Sequence, residues 1–556
     1  MKMNQIIKFT AVLLGSAVVF AGCIEETFPE SGYATGGQIA ESPFAQDGVL
    51  SAMPTILITN YVDIEEHFDF GYPGMLGAMD RLAGEVFPVA GNLPGGNQYY
   101  DRWQAYLYPC NSDGLDANGY VAPFFYKNYY QFVYAANEAI TLFSQNEDSA
   151  QNLGVAKAFR AFFYLDMARL YDPLPAKAAI GSYDVSAVAG LTVPIAREGM
   201  TMEELENNPR ATREEMFTFI FEDLDAAEKL MADYTPATRN LPSLAVVYGL
   251  KARAYLWLGG FDEQYAAIPT GEAAYRKAAE YARKAIVASG APITSEAQWL
   301  DKTTGFNTVI SSWMWAMIQS TDTVLNNLLS WTAHMSPDAI WGYGNGAQPG
   351  ISVFSYNRIA ATDFRKKIFV GPDRNYAAIS PYTNLTAAEF EGEDAMAPIA
   401  PFTSFKFHTN GGEKRNYSLG NVTSIPLMRV EEMYLIEAEA TAHYDAAAAR
   451  PLLQSFMATR AAGYSIPAGN DLVEEIIFQK RIELWGEGII RHDLKRLNMS
   501  MQNGKSGTNA PSMAQISTDG RAPWWNCVIP LSAVQQNKAL SGKNNPNATY
   551  TYKSVK

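Results

Sequence analysis

The stretch that decides the fold runs from residue 252 to 286, where ARAYLWLGGF (252–261) is followed by AYRKAAEYARKAI (274–286). Apolar residues recur at helical spacing in both segments, and Gly259 and Gly290 mark where the two helices end. Small side chains allow two helix backbones to approach closely. They are Ala252, Ala254, Ala278 and Ala282. We therefore predict a tightly packed pair of helices.

This pair resembles the two helices of a tetratricopeptide repeat. An insertion of about ten residues separates the two segments, so the strict 34-residue period of that repeat is absent. Helical patterns dominate two blocks, about 120–290 and 427–497. We therefore predict a mainly α fold, a degenerate tetratricopeptide-like scaffold of stacked repeat helices with a loop-rich, small-strand ligand-binding face.

The block between the two helical regions, about 291–426, has a different composition. Gly, Pro, Asn, Ser and Thr are frequent, no helical period is sustained, and five of the ten tryptophans fall here. Trp313 to Ile318 (WMWAMI) and Phe402 to Phe407 (FTSFKF) are candidate strands. We expect this insert to form the loop-rich face.

The N-terminal residues indicate export. Lys2 and Lys8 precede a short apolar run that is too short for a bilayer span of roughly 20 residues. The run ends in small residues before Cys23, which is typical of a lipobox; an ordinary signal peptide with an incidental cysteine is the alternative. We predict a signal peptide (1–22), a lipidated and palmitoylated Cys23, a flexible tether (23–45) and a single domain (46–556).

Bulk composition narrows the function classes. The net charge of −15 argues against nucleic-acid binding, because phosphates need a basic surface. Besides Cys23 the chain holds Cys110 and Cys527, which either form a disulfide in the exported protein or remain free thiols. No later segment is long and apolar enough to span a membrane.

A search for chemistry finds no catalytic motif. The phosphate loop, the dinucleotide fingerprint, HExxH and GxSxG are all missing, and the five histidines lack metal-ligand spacing. The stretch from Asp113 to Gly119 has some of the oxygen ligands of a calcium loop, but a polar turn is the favoured interpretation. We therefore predict no enzyme activity, no metal and no cofactor.

Aromatic residues in glycine-rich loops supply the positive signal. Such rings are harder to explain as core than rings on helices, and sugars stack their apolar C–H faces on them. The alternative is that the rings pack loops onto the scaffold. The candidate ligand-binding residues are Tyr100, Trp103, Tyr106, Trp331, Trp341 and Tyr343.

The C-terminal segments resemble one known family. RVEEMYLIEAEA (429–440) is similar to its RxxExxLxxAEA pattern, and Arg481 to Arg496 to its RxEL…EG…DLxR pattern. Ile529-Pro530 and the Asn544-Asn545-Pro546 tail are similar to its closing IP…NP pattern. These are features of the SusD/RagB-like outer-membrane nutrient-binding lipoproteins of Bacteroidetes. Gln479-Lys480 departs from the family's usual Glu-Arg, at positions that we interpret as structural.

The resemblance implies a non-catalytic receptor in the outer membrane, anchored by lipid and facing outward. It would bind an oligosaccharide and deliver it to a SusC-like TonB-dependent transporter, with the repeat helices contacting the transporter and the loops contacting the ligand. Three alternatives stay open: a receptor for peptide or another nutrient, a surface glycoside hydrolase, and an adaptor that binds only protein. The sequence does not identify the cargo.

Overall fold

The protein is described by a computed structural model over residues 42–59, 67–93, 112–549 and 551. The predicted signal peptide, Cys23, Cys110, Tyr100, Trp103 and Tyr106 lie outside these ranges. The longer helices of the described residues are α1 (Pro43–Thr59), α2 (Tyr72–Ala83), α3 (Val121–Phe143), α4 (Ala150–Tyr171), α5 (Arg213–Leu230), α6 (Leu244–Gly259), α7 (Gly271–Ser289), α8 (Val430–Ala442), α9 (Ala446–Ala458), α10 (Leu472–Glu483) and α11 (Ile490–Arg496).

Short elements fill the rest of the described chain, and they concentrate between α7 and α8, where the loop-rich insert was predicted. The short helices are Ser112–Leu115, Met202–Glu206, Glu296–Trp299, Trp331–Met335, Tyr343–Gly346, Val353–Arg358, Tyr376–Ile379, Ala387–Phe390, Tyr417–Gly420 and Leu531–Gln536. The strands are β1 (Phe87–Pro88), β2 (Trp313–Ile318), β3 (Pro349–Gly350) and β4 (Ser424–Arg429). This distribution confirms the mainly α fold.

Two small antiparallel sheets form, β1 with β3 and β2 with β4. The predicted strand from Trp313 to Ile318 is confirmed as β2, and its ends pair with Arg429 and Ser424. The second prediction, Phe402 to Phe407, is wrong. Phe402 has a φ of 69°, which breaks the extended backbone, and only isolated bridges form there, from Thr403 and Ser404.

The helix pair that decides the fold, α6 and α7, packs as predicted. All four alanines are fully buried, and a Cβ added at Gly259 would lie 2.5 Å from the ring of Tyr275. The helix α7 ends at Gly290, whose φ of 56° is left-handed, a conformation that glycine adopts without steric cost. The sequence pattern and the packing therefore agree.

Capping residues set several other helix ends. The Thr212 hydroxyl and the Glu215 carboxylate form a capping box at the start of α5. The Asp471 carboxylate accepts a hydrogen bond from the N–H of Glu474 at the start of α10. The helix α9 ends at Ala458, and Arg460 in the turn that follows is buried.

Arg460 belongs to a buried charge network centred on Glu483. The Glu483 carboxylate accepts hydrogen bonds from Arg365 at 3.0 Å, from Arg429 at 3.2 Å and from Arg460 at 2.8 and 2.9 Å. All four side chains are fully buried. The three arginines come from the segment after β3, from β4 and from the turn after α9, and Glu483 ends α10, so this carboxylate joins four segments of the chain.

A second buried network joins the C-terminal helices α8, α10 and α11. The Glu439 carboxylate pairs with Arg496 and, at 3.2 Å, with Lys480. Asp493 contacts the same two cations, at 3.0 and 2.7 Å. Lys480, one of the departures from the family pattern, therefore has a structural role, as the sequence interpretation proposed.

Replacing Glu483 with glutamine should reduce the free energy of unfolding by about 3–5 kcal/mol, because three buried arginines lose their shared carboxylate. Urea unfolding would measure the change. The matched control is Glu272→Gln, which breaks the exposed pair with Arg276 and should cost about 0–1 kcal/mol. Equal losses for both variants would contradict the central position of Glu483.

Asp80 should make stability fall as the pH rises. Burial raises the pKa of its carboxyl from 3.8 to about 8, although the N–H of Gly488 donates to it at 2.8 Å. Between these values the folded chain keeps a proton that the unfolded chain has lost, so raising the pH favours unfolding. Glu85, Glu487 and Lys406 also face this carboxyl.

The matching variant is Asp80→Asn, which cannot ionise but keeps an oxygen for the Gly488 N–H. Its stability relative to the unsubstituted protein should increase steadily from about pH 4 to about pH 8. Denaturant unfolding across that range would measure the difference, with exposed Asp322→Asn as the control. A pH-independent difference would refute the assignment.

Candidate functional site

Two of the predicted rings, Trp341 and Tyr343, lie together on the loop-rich face. Both are partly buried and sit in the turn that follows the helix Trp331–Met335. A Cβ added at Gly342 or at Gly344 would lie about 2.5 Å or less from a carbonyl oxygen of the preceding segment. The two glycines therefore let the turn lie flat on the segment before it, with Trp341 and Tyr343 alternating between them.

Trp341 is held along one edge. Its Nε1 donates to the Oδ1 of Asn421 at 3.2 Å. A Cβ added at Gly420 would lie 2.3 Å from the indole, so the ring rests directly on this part of the backbone. Its position is set by a residue that the sequence places 80 positions away.

Tyr343 belongs to a column of rings with His67, His334 and Phe70. Its hydroxyl is hydrogen-bonded to Nδ1 of His67, and its ring centroid lies 5.2 Å from that of His334. His334 stacks on Phe70 at 5.1 Å. Burial lowers the pKa of His334 from 6.5 to about 3, so this imidazole is neutral at physiological pH.

The other predicted rings are placed differently. Trp331 is only 2% exposed and packs edge-on against Phe407 at 5.2 Å, as a core residue would. Its Nε1 makes no hydrogen bond within the described part of the chain. Tyr100, Trp103 and Tyr106 lie outside the described residues, so their part in the site remains a prediction.

The sequence analysis missed three neighbouring side chains. Tyr417 and Leu419 are 40% and 49% exposed and belong to the same short helix as Gly420, the glycine beneath Trp341. His67 is exposed beside Tyr343. Tyr417 and Leu419 could have been identified from the sequence. They are apolar residues that lie between Asn416, which caps this helix, and Gly420. Together with Trp341 and Tyr343 these residues form what we call the ring platform.

A second surface lies on the helical side, where a groove of about 830 Å³ follows α3. Tyr126, Tyr130 and Tyr134 recur every four residues and so share one face of that helix. The opposite wall includes Met202 and Leu205. Tyr134 and Met202 are 66% and 71% exposed, which is unusual for such apolar side chains.

Across the described ranges, no three side chains of the metal-ligating types converge. In the candidate calcium loop, the Asp116 carboxylate accepts a hydrogen bond from the N–H of Asn118 at 2.8 Å, as in an ordinary polar turn. Cys527 is a free thiol among the described residues, and Cys110 lies outside them. None of the described helices is long and apolar enough to cross a membrane.

Two family models match the chain. Residues 94–256 match the model described as "Starch-binding associating with outer membrane", and residues 374–547 match the model of the SusD family. No protein with a curated description matches the sequence. The first range ends within α6, and the second includes the C-terminal helices α8 to α11; α7 lies between the two ranges.

Solved structures share the whole fold. A SusD-like carbohydrate-binding protein from Bacteroides vulgatus superposes with a TM-score of 0.65 at 20% identity, covering 93% of this chain and 100% of its own. A SusD superfamily protein from Bacteroides thetaiotaomicron gives 0.65 at 15% identity, covering 90% and 99%. A SusD homologue from the same species gives 0.63 at 16% identity, covering 92% and 99%. At these identities the likeness establishes the fold.

Proposed function

The chain belongs to the SusD/RagB-like family, and on that premise we propose that it is a non-catalytic surface receptor for an oligosaccharide. The ring platform is the observation that carries this proposal. Partly buried rings fixed at their edges offer flat apolar surfaces to the C–H faces of sugars.

The strength of such a site follows from its area. Each ring contributes about 1 kcal/mol of apolar burial, so the two central rings alone fall short of the about 4 kcal/mol that millimolar affinity requires. Tyr417, and the predicted rings Tyr100, Trp103 and Tyr106, would supply the remainder. We therefore propose an extended chain of sugars rather than a monosaccharide as the cargo.

We further propose that the protein is held at the outer membrane by lipid on Cys23 and faces outward. The family model is described as associated with the outer membrane, which supports this location. The acidic residues Glu25 and Glu26, which follow Cys23 and Ile24, resemble the export signal of Bacteroidetes surface lipoproteins. The predicted tether 23–45, whose last three residues belong to α1, would let the body move relative to the membrane.

The proposed partner is a SusC-like TonB-dependent transporter, which would receive the oligosaccharide. The tyrosine groove along α3 supports this partner, because exposed apolar side chains at one place on a soluble surface mark a contact site. Lys127 and Glu206 are the charged residues of its lining, so the groove is close to neutral on a chain whose net charge is −15.

The sugar site is tested with Trp341→Ala and Tyr343→Ala. Each variant should weaken binding of an oligosaccharide about five- to tenfold, corresponding to about 1–1.4 kcal/mol per ring. A glycan array that includes starch, xylan and mannan fragments would select the ligand, and calorimetry would give the affinities. Tyr134→Ala is the control, because it removes an exposed ring from the groove instead.

If no glycan binds the unsubstituted protein, or if both platform variants bind as tightly as it does, the sugar proposal fails. Peptides recovered by mass spectrometry from the gently purified protein would then favour the peptide receptor. Reducing ends released from the array glycans would favour the hydrolase.

The transporter contact is tested by exchanging the roles of the test and control variants used for sugar binding. Tyr134→Ala combined with Met202→Ser should reduce copurification of a coexpressed SusC-like transporter at least severalfold, because both side chains are exposed at the groove. Trp341→Ala is now the control and should leave copurification unchanged. Loss of the transporter with Trp341→Ala alone would contradict the assignment of separate faces.

A further inference from the structure

The turn from Asn326 to Leu329 is closed by one side chain. Oδ1 of Asn326 accepts hydrogen bonds from the N–H groups of Leu328 and Leu329, both at 2.8 Å. An asparagine that bonds to the backbone two and three residues later imposes a defined turn on a segment without regular structure. The shape of this turn therefore depends on Asn326.

One end of the turn supports Trp341 through Asn421. Nδ2 of Asn421 donates to the carbonyl oxygen of Asn326 at 3.2 Å, and its Oδ1 accepts from Nε1 of Trp341 at 3.2 Å. Asn421 is fully buried, so neither bond has a competing water at the surface. A shift of the turn would therefore carry the indole with it.

The other end supports Tyr343 through His334. Nε2 of His334 lies 3.1 Å from the carbonyl oxygens of both Leu328 and His67, so it carries the proton and is shared between two acceptors. The ring of Tyr343 lies 5.2 Å from this imidazole, and its hydroxyl bonds to His67. The same turn thus reaches the second ring of the platform.

We propose that the turn 326–329, closed by Asn326, is a positioning element that sets the placement of Trp341 relative to Tyr343 and thereby the shape of the ligand site. The role of the turn in ligand binding rests on the proposed function. The coupling of the two rings through the turn is a property of the free protein. Asn326, Asn421 and His334 are positioning residues rather than ligand contacts.

The energetic reason is preorganisation. A ligand that spans both rings gains their full contact only if the two surfaces are already in place, because a gap of 0.5–1 Å forfeits a quarter to a half of the dispersion energy. Ordering a loose ring on binding adds an entropy cost. A turn that fixes both rings removes this cost before the ligand arrives.

The test compares Asn326→Ala with Asn327→Ala in protein labelled with 5-fluorotryptophan. Asn327 is the adjacent exposed amide, and its side chain makes no hydrogen bond within the described residues, so it is a matched control. Trp341→Phe assigns the Trp341 resonance among the ten. Without ligand, Asn326→Ala should shift or broaden the Trp341 resonance, and Asn327→Ala should leave it in place.

Asn326→Asp provides the rescue, because a carboxylate accepts the same two N–H groups. It should restore the Trp341 resonance, which a mere loss of folding would not predict. Affinity for the strongest ligand among maltoheptaose, xylohexaose and mannohexaose should fall about tenfold in Asn326→Ala and recover in Asn326→Asp. An unchanged Trp341 resonance in Asn326→Ala would overturn the inference.

The two failures are distinguishable. If the resonance moves as expected but none of the three oligosaccharides binds the unsubstituted protein, the coupling of the rings stands and the sugar ligand is rejected. If an oligosaccharide binds and Asn326→Ala changes neither the resonance nor the affinity, the proposed function stands and the positioning role is rejected.

Discussion

The fold depends on the need to neutralise charge away from water. Burying an unpaired carboxylate or guanidinium costs several kcal/mol of folding free energy, so each buried charge needs a well-placed partner of opposite charge. Glu483 meets that requirement with Arg365, Arg429 and Arg460, which come from three other segments of the chain. Because these segments must reach one carboxylate together, the register of β4 and the turn after α9 are determined jointly. The repeat helices and the loop-rich insert are thereby joined.

The C-terminal tail illustrates the same constraint at a helix end. The last carbonyl groups of α4 would be left without partners inside the protein, and the helix dipole makes that end negative. Lys495 donates to the carbonyl oxygens of Arg169 and Leu170, and Asn545 donates to that of Tyr171. The NP tail of the family pattern therefore has a physical explanation: it completes a helix formed nearly 400 residues earlier.

How much of this could be read from the sequence depends on the range of the interactions. The helix pair α6 and α7 and the capping box at Thr212 were predictable because their determinants lie within a few residues. The segment from Phe402 to Phe407 was predicted wrongly as a strand, because its alternating apolar pattern does not reveal that the backbone turns at Phe402. Trp331 looked like a loop ring but is core, and His67 joins Tyr343 only through folding. The glycines around Trp341 and Tyr343 drew attention to this turn in the sequence. The contacts of Asn421 and His334 with these rings could not be predicted, because they form only in the folded chain.

The paired glycines of that turn have a consequence for which substitutions the turn tolerates. Gly342 and Gly344 let the backbone lie on the segment before it, whereas Trp341 and Tyr343 keep part of their side chains exposed. The close backbone approach and the partly exposed rings thus fall at alternate positions of one short peptide. Under the proposed function, substitutions at 341 and 343 would change the ligand that is bound, whereas a side chain at 342 or 344 would displace the backbone that presents both rings.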